Sequence, residues 1–254
     1  MTTGARGTPP SAAPTVSVIL PTYDEGKVIF GVVHDILGAV PSAEVRVVDD
    51  DSPDRTWQTV EDAFARDARV RVLRRIGRRG LPSALADGIA LARGEVVVWL
   101  DADGSMPADV IPRLVAATGE ADVAVASRYV AGGSDARDSR LRVLASQAIN
   151  RVGTLCLGGP VRDWTSGFVA ARRTALERVP LRTHYVYGDY CIDFLYRAGR
   201  AGLHVVEVPY RNVERRAGES KTSPDLRRFV GLGLRYLGTI LQLRWETLST
   251  RSHR

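Results

Sequence analysis

Lysine is nearly missing from this chain. Of 35 basic side chains in 254 residues, only Lys27 and Lys221 are lysines. Cysteine is as scarce: Cys156 and Cys191 stand far apart, with no C-x-x-C and no histidine cluster. That excludes a disulfide framework and argues against a zinc site. No run of about 18 apolar residues occurs, so nothing reads as a bilayer span. The opening MTTGARGTPPSAAP lacks the apolar core of a signal peptide, and the expected location is the cytosol. Neither common phosphate loop is present. G-x-G-x-x-G does not follow the first strand pattern, and G-x-x-x-x-G-K-[ST] is absent. Phosphate charge, if bound, must be met by a metal and by arginines.

What is present is ordinary globular composition, 44% hydrophobic and 25% charged, which excludes disordered and collagen-like classes. The net charge of +6 first suggests a nucleic-acid partner. Its distribution argues otherwise. Arg197–Arg254 holds twelve bases and five acids, so residues 1–196 carry a net −1. A neutral body with acidic motifs does not fit a surface of interleaved bases and aromatics.

Residues 1–14 read as a disordered lead-in. Strand and helix patterns then alternate. Strands are expected at Val16–Leu20, Glu44–Val48, Val70–Leu73 and Val96–Leu100. Helices are expected at Lys27–Leu37, Asp54–Ala68 and Leu81–Ala92, the second with Ser52 as N-cap and Pro53 at the first turn. This alternation implies βαβ units and a mostly parallel sheet covered on both faces. The second half is less regular. Strands are expected at Asp122–Ala126, after Ser166-Gly167, and at His204–Val208. Helices are expected at Arg142–Leu157 and Tyr190–Ala201. The main domain spans 15–224, and 225–254 forms a basic amphipathic helix or helix pair.

Ligands in such sheets bind at the carboxyl ends of strands. Three of these ends are polar: Pro21-Thr22-Tyr23-Asp24-Glu25, Asp49-Asp50-Asp51-Ser52 and Asp101-Ala102-Asp103-Gly104. Two carboxylates at i and i+2 after a buried strand can face one cavity and hold Mg²⁺ or Mn²⁺, with phosphate oxygens completing the shell. The same pair could instead cap a helix starting near Pro107. An acid of the 49–51 run could accept from a base or ribose, or the run could be a solvated turn. Tyr23 could carry a nucleobase on its ring, or be a plain surface aromatic.

Together the words are more specific. PTYDE, VVDDDSPDRT, GLPSAL, DADG, SRYVAGG, RDWTSGF, GDY and VEVPYRNVERRAGESKTS occur in this order. The sequence resembles a family-2 glycosyltransferase of the GT-A fold over roughly Val16 to Ser223. Within that family it is most similar to the dolichol-phosphate, or polyprenyl-phosphate, mannosyltransferases.

The resemblance implies a site. Pro21, Tyr23, Glu25 and Asp50 would hold base and ribose, and Ala102, Arg215 and Lys221 would also meet the nucleotide sugar. Asp101 and Asp103 would bind the metal, with Ser105 beside them, although Gly104 stands where many relatives carry Leu. Arg128 and Arg140 would grip the acceptor phosphate, with Arg216 an alternative to Arg215 at the donor. Asp189, in GDY, is the carboxylate best placed for a base-like role, or else a helix cap. The implied reaction is inverting transfer of a hexose, mannose from GDP-mannose, to a polyprenyl or dolichyl monophosphate. A soluble acceptor is the alternative.

In the tail, Leu226, Phe229, Val230, Leu234, Leu237, Ile240 and Leu241 share a helical face, with Arg227, Arg228, Arg235 and Gln242 largely elsewhere. That suits a membrane interface, and equally a core-packing terminal helix. A peripheral position on the cytoplasmic membrane face is expected, with no nucleic-acid partner.

Overall fold

The computed structural model describes residues 15–137, 139–216 and 226–251. The expected lead-in at 1–14 and Lys221 lie outside the described residues.

The apolar runs form strands within one or two residues of the expected bounds. β1 is Val16–Thr22, β2 Glu44–Asp49, β3 Val70–Arg74, β4 Val96–Trp99 and β5 Val123–Ser127. A two-residue β6 at Ser134–Asp135 follows, then β7 at Val169–Arg172, β8 at Val205–Pro209 and a two-residue β9 at Arg211–Asn212. Seven of these form one sheet in the order β3-β2-β1-β4-β7-β5-β8. β7 runs antiparallel to β4 and to β5, whereas every other pairing in this sheet is parallel. β6 and β9 form a separate small parallel pair.

Helices cover both faces, as all-buried strands require. On one side α1 (Ile29–Ala39), α2 (Thr56–Ala63) and α4 (Ile111–Ala117) pack Ile29, Val32, Ile36, Val60, Ile111 and Leu114 into a core with Val18, Val45 and Val98. On the other, α3 (Leu81–Leu91), α6 (Arg173–Arg178) and α7 (Asp189–Arg200) bury Leu85, Leu176 and Phe194 with Trp99 and Val125. α5 (Arg140–Leu157) and α8 (Leu226–Arg251) lie outside this layer, with α8 packed on α5 and α7.

Two expectations need correction. The second helix does not start behind Ser52. The Ser52 hydroxyl donates to Asp49 Oδ2 at 2.6 Å and accepts the Asp24 N–H, so it is committed to the strand ends. Arg55 is left-handed at φ 58°, and the helix begins at Thr56. Of the two forms expected for the tail, the single helix is the one present, 26 residues long. Its expected apolar face is also divided. Ile240 is fully buried with Leu243, whereas Leu234 is 64% exposed and Val230 and Leu241 are open as well.

Candidate active site

The antiparallel strand builds the site. β1, β2, β4 and β5 end at one sheet edge, and β7 starts there. The turn Thr165-Ser166-Gly167 before β7 therefore lies beside the acids after β4, with Asp101, Asp103 and this turn lining one cavity.

The triple-acid run is stable because its members diverge. Asp49 accepts from Thr22 Oγ1 at 2.7 Å and from Ser52 N–H at 2.8 Å, tying β1 to β2. Asp51 accepts from Arg74 Nε at 2.6 Å. Asp50 turns inward, accepting the Gly80 N–H at 2.7 Å with Arg75 Nη1 at 3.3 Å. Burial pushes the Asp50 carboxyl up, and the Gly80 N–H and Arg75 charge pull against it. Nearby, the Arg79 guanidinium lies 3.6 Å over the Tyr23 ring. One face of the ring expected to carry a base is thus covered by a cation. Pro21, half-buried, is the penultimate residue of β1, and the Glu25 N–H donates to Thr56 Oγ1.

After β4, the Asp101-Ala102-Asp103 turn buries Ala102 and brings the two carboxylates together. Burial, and then the charge of Asp103, push the Asp101 carboxyl up to about 7, against the pull of Arg215. Asp103 accepts the Ser105 N–H at 2.9 Å and pairs with Arg215 at 2.8 Å. Two crowded carboxylates with a cationic side chain drawn onto one of them are a donor set that a hard divalent cation fits. No group of three or more His, Cys, Asp or Glu side chains capable of holding a metal occurs among the described residues. The protein would contribute Asp101 and Asp103, with Ser105 adjacent.

A cavity of about 730 Å³ opens beside this pair. Asp101, Asp103, Ser105, Arg128 and Arg215 line it at one end. Phe229, Val230, Leu234 and Leu237 of α8 and Ile149 of α5 form an apolar wall. Arg128 is a framed cation. Its Nε and Nη2 donate to Asp163 at 2.8 and 2.7 Å, and Nη2 also reaches Thr165 Oγ1 at 3.0 Å. Burial opposes its charge, but Asp163 outweighs burial and holds its pKa well above the ordinary value.

Two expected residues sit elsewhere. Arg140, at the start of α5, is exposed and outside the lining, whereas Arg137 and Arg142 are within it. Arg142 shares a helical face with Ala145, Ser146 and Ile149, a spacing visible in the sequence. Asp189 opens α7 and does not line the cavity. Its Oδ1 accepts the Tyr187 N–H at 2.9 Å, and Arg235 lies 4.0 Å from Oδ2. It holds the loop that presents Tyr187 and Gly188 to the cavity. Tyr190, Tyr210 and Asn212 also line the cavity and were not picked out from sequence.

A parallel-dominated sheet with one reversed strand, and an acidic pair at its edge, defines the GT-A class of glycosyltransferases. The chain belongs to glycosyl transferase family 2, whose family model matches residues 17–179. It is 38% identical over 229 residues to the polyprenol monophosphomannose synthase of Mycolicibacterium smegmatis, covering 87% of this chain and 86% of that protein. It is 35% identical to the undecaprenyl-phosphate mannosyltransferase of Micrococcus luteus, covering 93% and 98%. A dolichol-phosphate mannosyltransferase of Pyrococcus furiosus is 37% identical, with 81% of this chain matching 58% of that longer protein. In fold, the chain is similar to glucosyl-3-phosphoglycerate synthase from Mycobacterium tuberculosis, crystallised with Mn²⁺, UDP and glucosyl-3-phosphoglycerate. The TM-score is 0.68 at 22% identity, covering 91% of this chain and 80% of that one.

Proposed function

We propose that this glycosyltransferase moves mannose from GDP-mannose to a polyprenyl or dolichyl monophosphate, with inversion at the anomeric carbon. The observation that carries this reading is the two-ended cavity, with Arg128, Arg137 and Arg142 on its lining and an apolar wall from α5 and α8. An amphiphilic acceptor would place its phosphate among the arginines, whose planar forks suit phosphate oxygens, and its chain along the wall. A soluble acceptor leaves that wall without a role. The mannosyltransferases named above support the sugar and the lipid class.

Asp50 and Tyr23 would hold the nucleoside, and Arg215 the donor diphosphate, with Lys221, outside the described residues, proposed as a further contact. Mg²⁺ or Mn²⁺ on Asp101 and Asp103 would neutralise charge developing on the leaving nucleoside diphosphate. An acceptor phosphate is already anionic near neutral pH, so no side chain has to remove its proton. Asp189 then serves to position the loop before α7. Arg128, held rigid by Asp163, would orient the attacking phosphate without reorganising during the reaction.

Among the described residues no helix is long and apolar enough to cross a membrane. The exposed apolar side chains of α8 support a peripheral position, which we assign to the cytoplasmic face. The test is incubation with radiolabelled GDP-mannose, Mn²⁺ or Mg²⁺ and a short polyprenyl phosphate. Label should enter the organic phase only when lipid and metal are both present. If it stays in water with GDP- and UDP-sugars alike, the lipid acceptor is wrong.

A further inference from the structure

The chain after β9 is stitched to the Asp101–Ser105 turn. The Val213 N–H donates to Ser105 O, and the Arg216 N–H donates to Asp103 O, each at 3.0 Å. Gly104 sits at the crossing with φ +78°. A Cβ there would stand 2.8 Å from Cγ and Cδ of Arg216. The absent side chain is therefore the space through which the Arg216 stem passes. Beyond it the guanidinium reaches Asp35 of α1 at 2.5 Å. Gly31, one helical turn earlier, also makes room, since a Cβ there would lie 3.3 Å from Arg216 Nη1. Arg215, next in the chain, pairs instead with Asp103.

We propose that Arg216, clasped across Gly104 to Asp35, is a positioning residue that holds Arg215 at the carboxylate pair. Arg215 balances Asp103 while the donor is absent, and passes to the diphosphate when cation and donor enter. The inference rests on the reading of Asp103 as a cation ligand and Arg215 as a diphosphate contact.

A tethered cation competes at a high effective concentration. A divalent ion arriving at Asp103 must displace Arg215 from the carboxylate. Once displaced, Arg215 is still pinned through its neighbour and stays close to the phosphate oxygens. Holding a contact residue in place strengthens binding by reducing the ordering cost. The clasp thus has two effects of opposite sign. It weakens cation binding to the empty site and strengthens donor binding. A residue needed only for folding would, when removed, weaken both.

The experiment uses Asp35→Ala, Arg216→Ala, the double variant and Arg215→Ala in the full chain. Mn²⁺ alone is titrated by the loss of its free EPR signal. GDP, with UDP in parallel, is then titrated calorimetrically at saturating Mn²⁺. Asp35→Ala and Arg216→Ala should each tighten Mn²⁺ about two- to fivefold and weaken the nucleotide by a similar factor, the range an exposed ion pair supports. The double variant should match Arg216→Ala, since the two side chains form one contact. If Asp35→Ala and Arg216→Ala move neither affinity, or lower both, the clasp is overturned. In that case opposite shifts in Arg215→Ala keep the underlying site reading intact. If Arg215→Ala shifts neither affinity, that site reading falls and the clasp falls with it.

Discussion

Asp101 shows how far one residue's surroundings can set its chemistry. Its carboxyl is raised from 3.8 to about 7, so the native state keeps a proton that the unfolded chain releases. For this group, the stabilisation of the metal-free fold is fully present below about pH 4 and is lost as pH rises through 7. A metal ligand must be ionised, so cation binding expels that proton. Mn²⁺ should accordingly raise the melting temperature more at pH 8 than at pH 6. Thermal melts with and without Mn²⁺ at the two pH values measure this. Equal shifts would exclude Asp101 as the group that loses the proton. Asp101, Asp103 and Asp50 were legible in the sequence because each follows a strand end. Arg137 and Arg142 were not, because among so many arginines no single one stands out without a fold to place it. Arg140 is expected from the resemblance alone, and at the first turn of α5 it is exposed to solvent.

At the scale of elements, α5 and the turn before β7 are locked by one amide. Asn150 Oδ1 accepts the Trp164 N–H at 2.6 Å, and Nδ2 donates to Thr165 Oγ1 at 3.0 Å. Gly153 lets the indole against the helix, where a Cβ would come within 2.8 Å of Trp164. Asn150→Ala leaves a buried N–H unpaired and should cost about 1–3 kcal/mol, measured by urea unfolding. Because Thr165 also contacts Arg128, the variant should raise the acceptor KM as well. An unchanged unfolding midpoint would refute the lock. The long elements of this region were readable from periodicity. The two-residue β6 and β9 were not, since two residues display no period. α2 was overestimated at both ends, since Arg55 turns left-handed before Thr56 and the backbone leaves the helix at Phe64. The wording RDWTSGF marked the turn as important, but its position required knowing that β7 runs backwards between β4 and β5.

Across the whole molecule, the exposed apolar side chains are concentrated on two neighbouring helices. α8 presents Val230, Leu234, Leu241, Trp245 and Leu248, and α5 presents Leu141, Leu144 and Leu155. Residues 230, 234, 241, 245 and 248 follow helical spacing and form a single stripe. Meanwhile Tyr236, Ile240 and Leu243 hold α8 to the core. Both readings of the tail were therefore partly legible: one edge packs inward and the adjoining edge stays open. The sequence could not divide the stripe, because Leu is equally suited to either surface. Trp245→Glu, at a position 69% exposed, should leave the melting temperature within a few degrees, since surface changes usually stay within about 0.5 kcal/mol. It should also reduce cosedimentation with anionic liposomes severalfold, consistent with a buried aromatic at the interface. Undiminished sedimentation would remove α8 from the membrane contact.

The reversed strand also sets a schedule for synthesis. β4 and β5 are made early, but neither bonds the other, because β7 lies between them and is completed only at Arg172. Until then β4 carries one unpaired apolar edge and β5 two, since its other partner β8 is made later still, the kind of surface that recruits chaperones or seeds aggregation. A chain released before Val169 would have all of β1–β5 and no means of joining β5 to the rest. The acidic pair after β4 gains the Thr165–Gly167 turn in the same step, whereas β8, Arg215 and the α8 wall of the cavity are added afterwards.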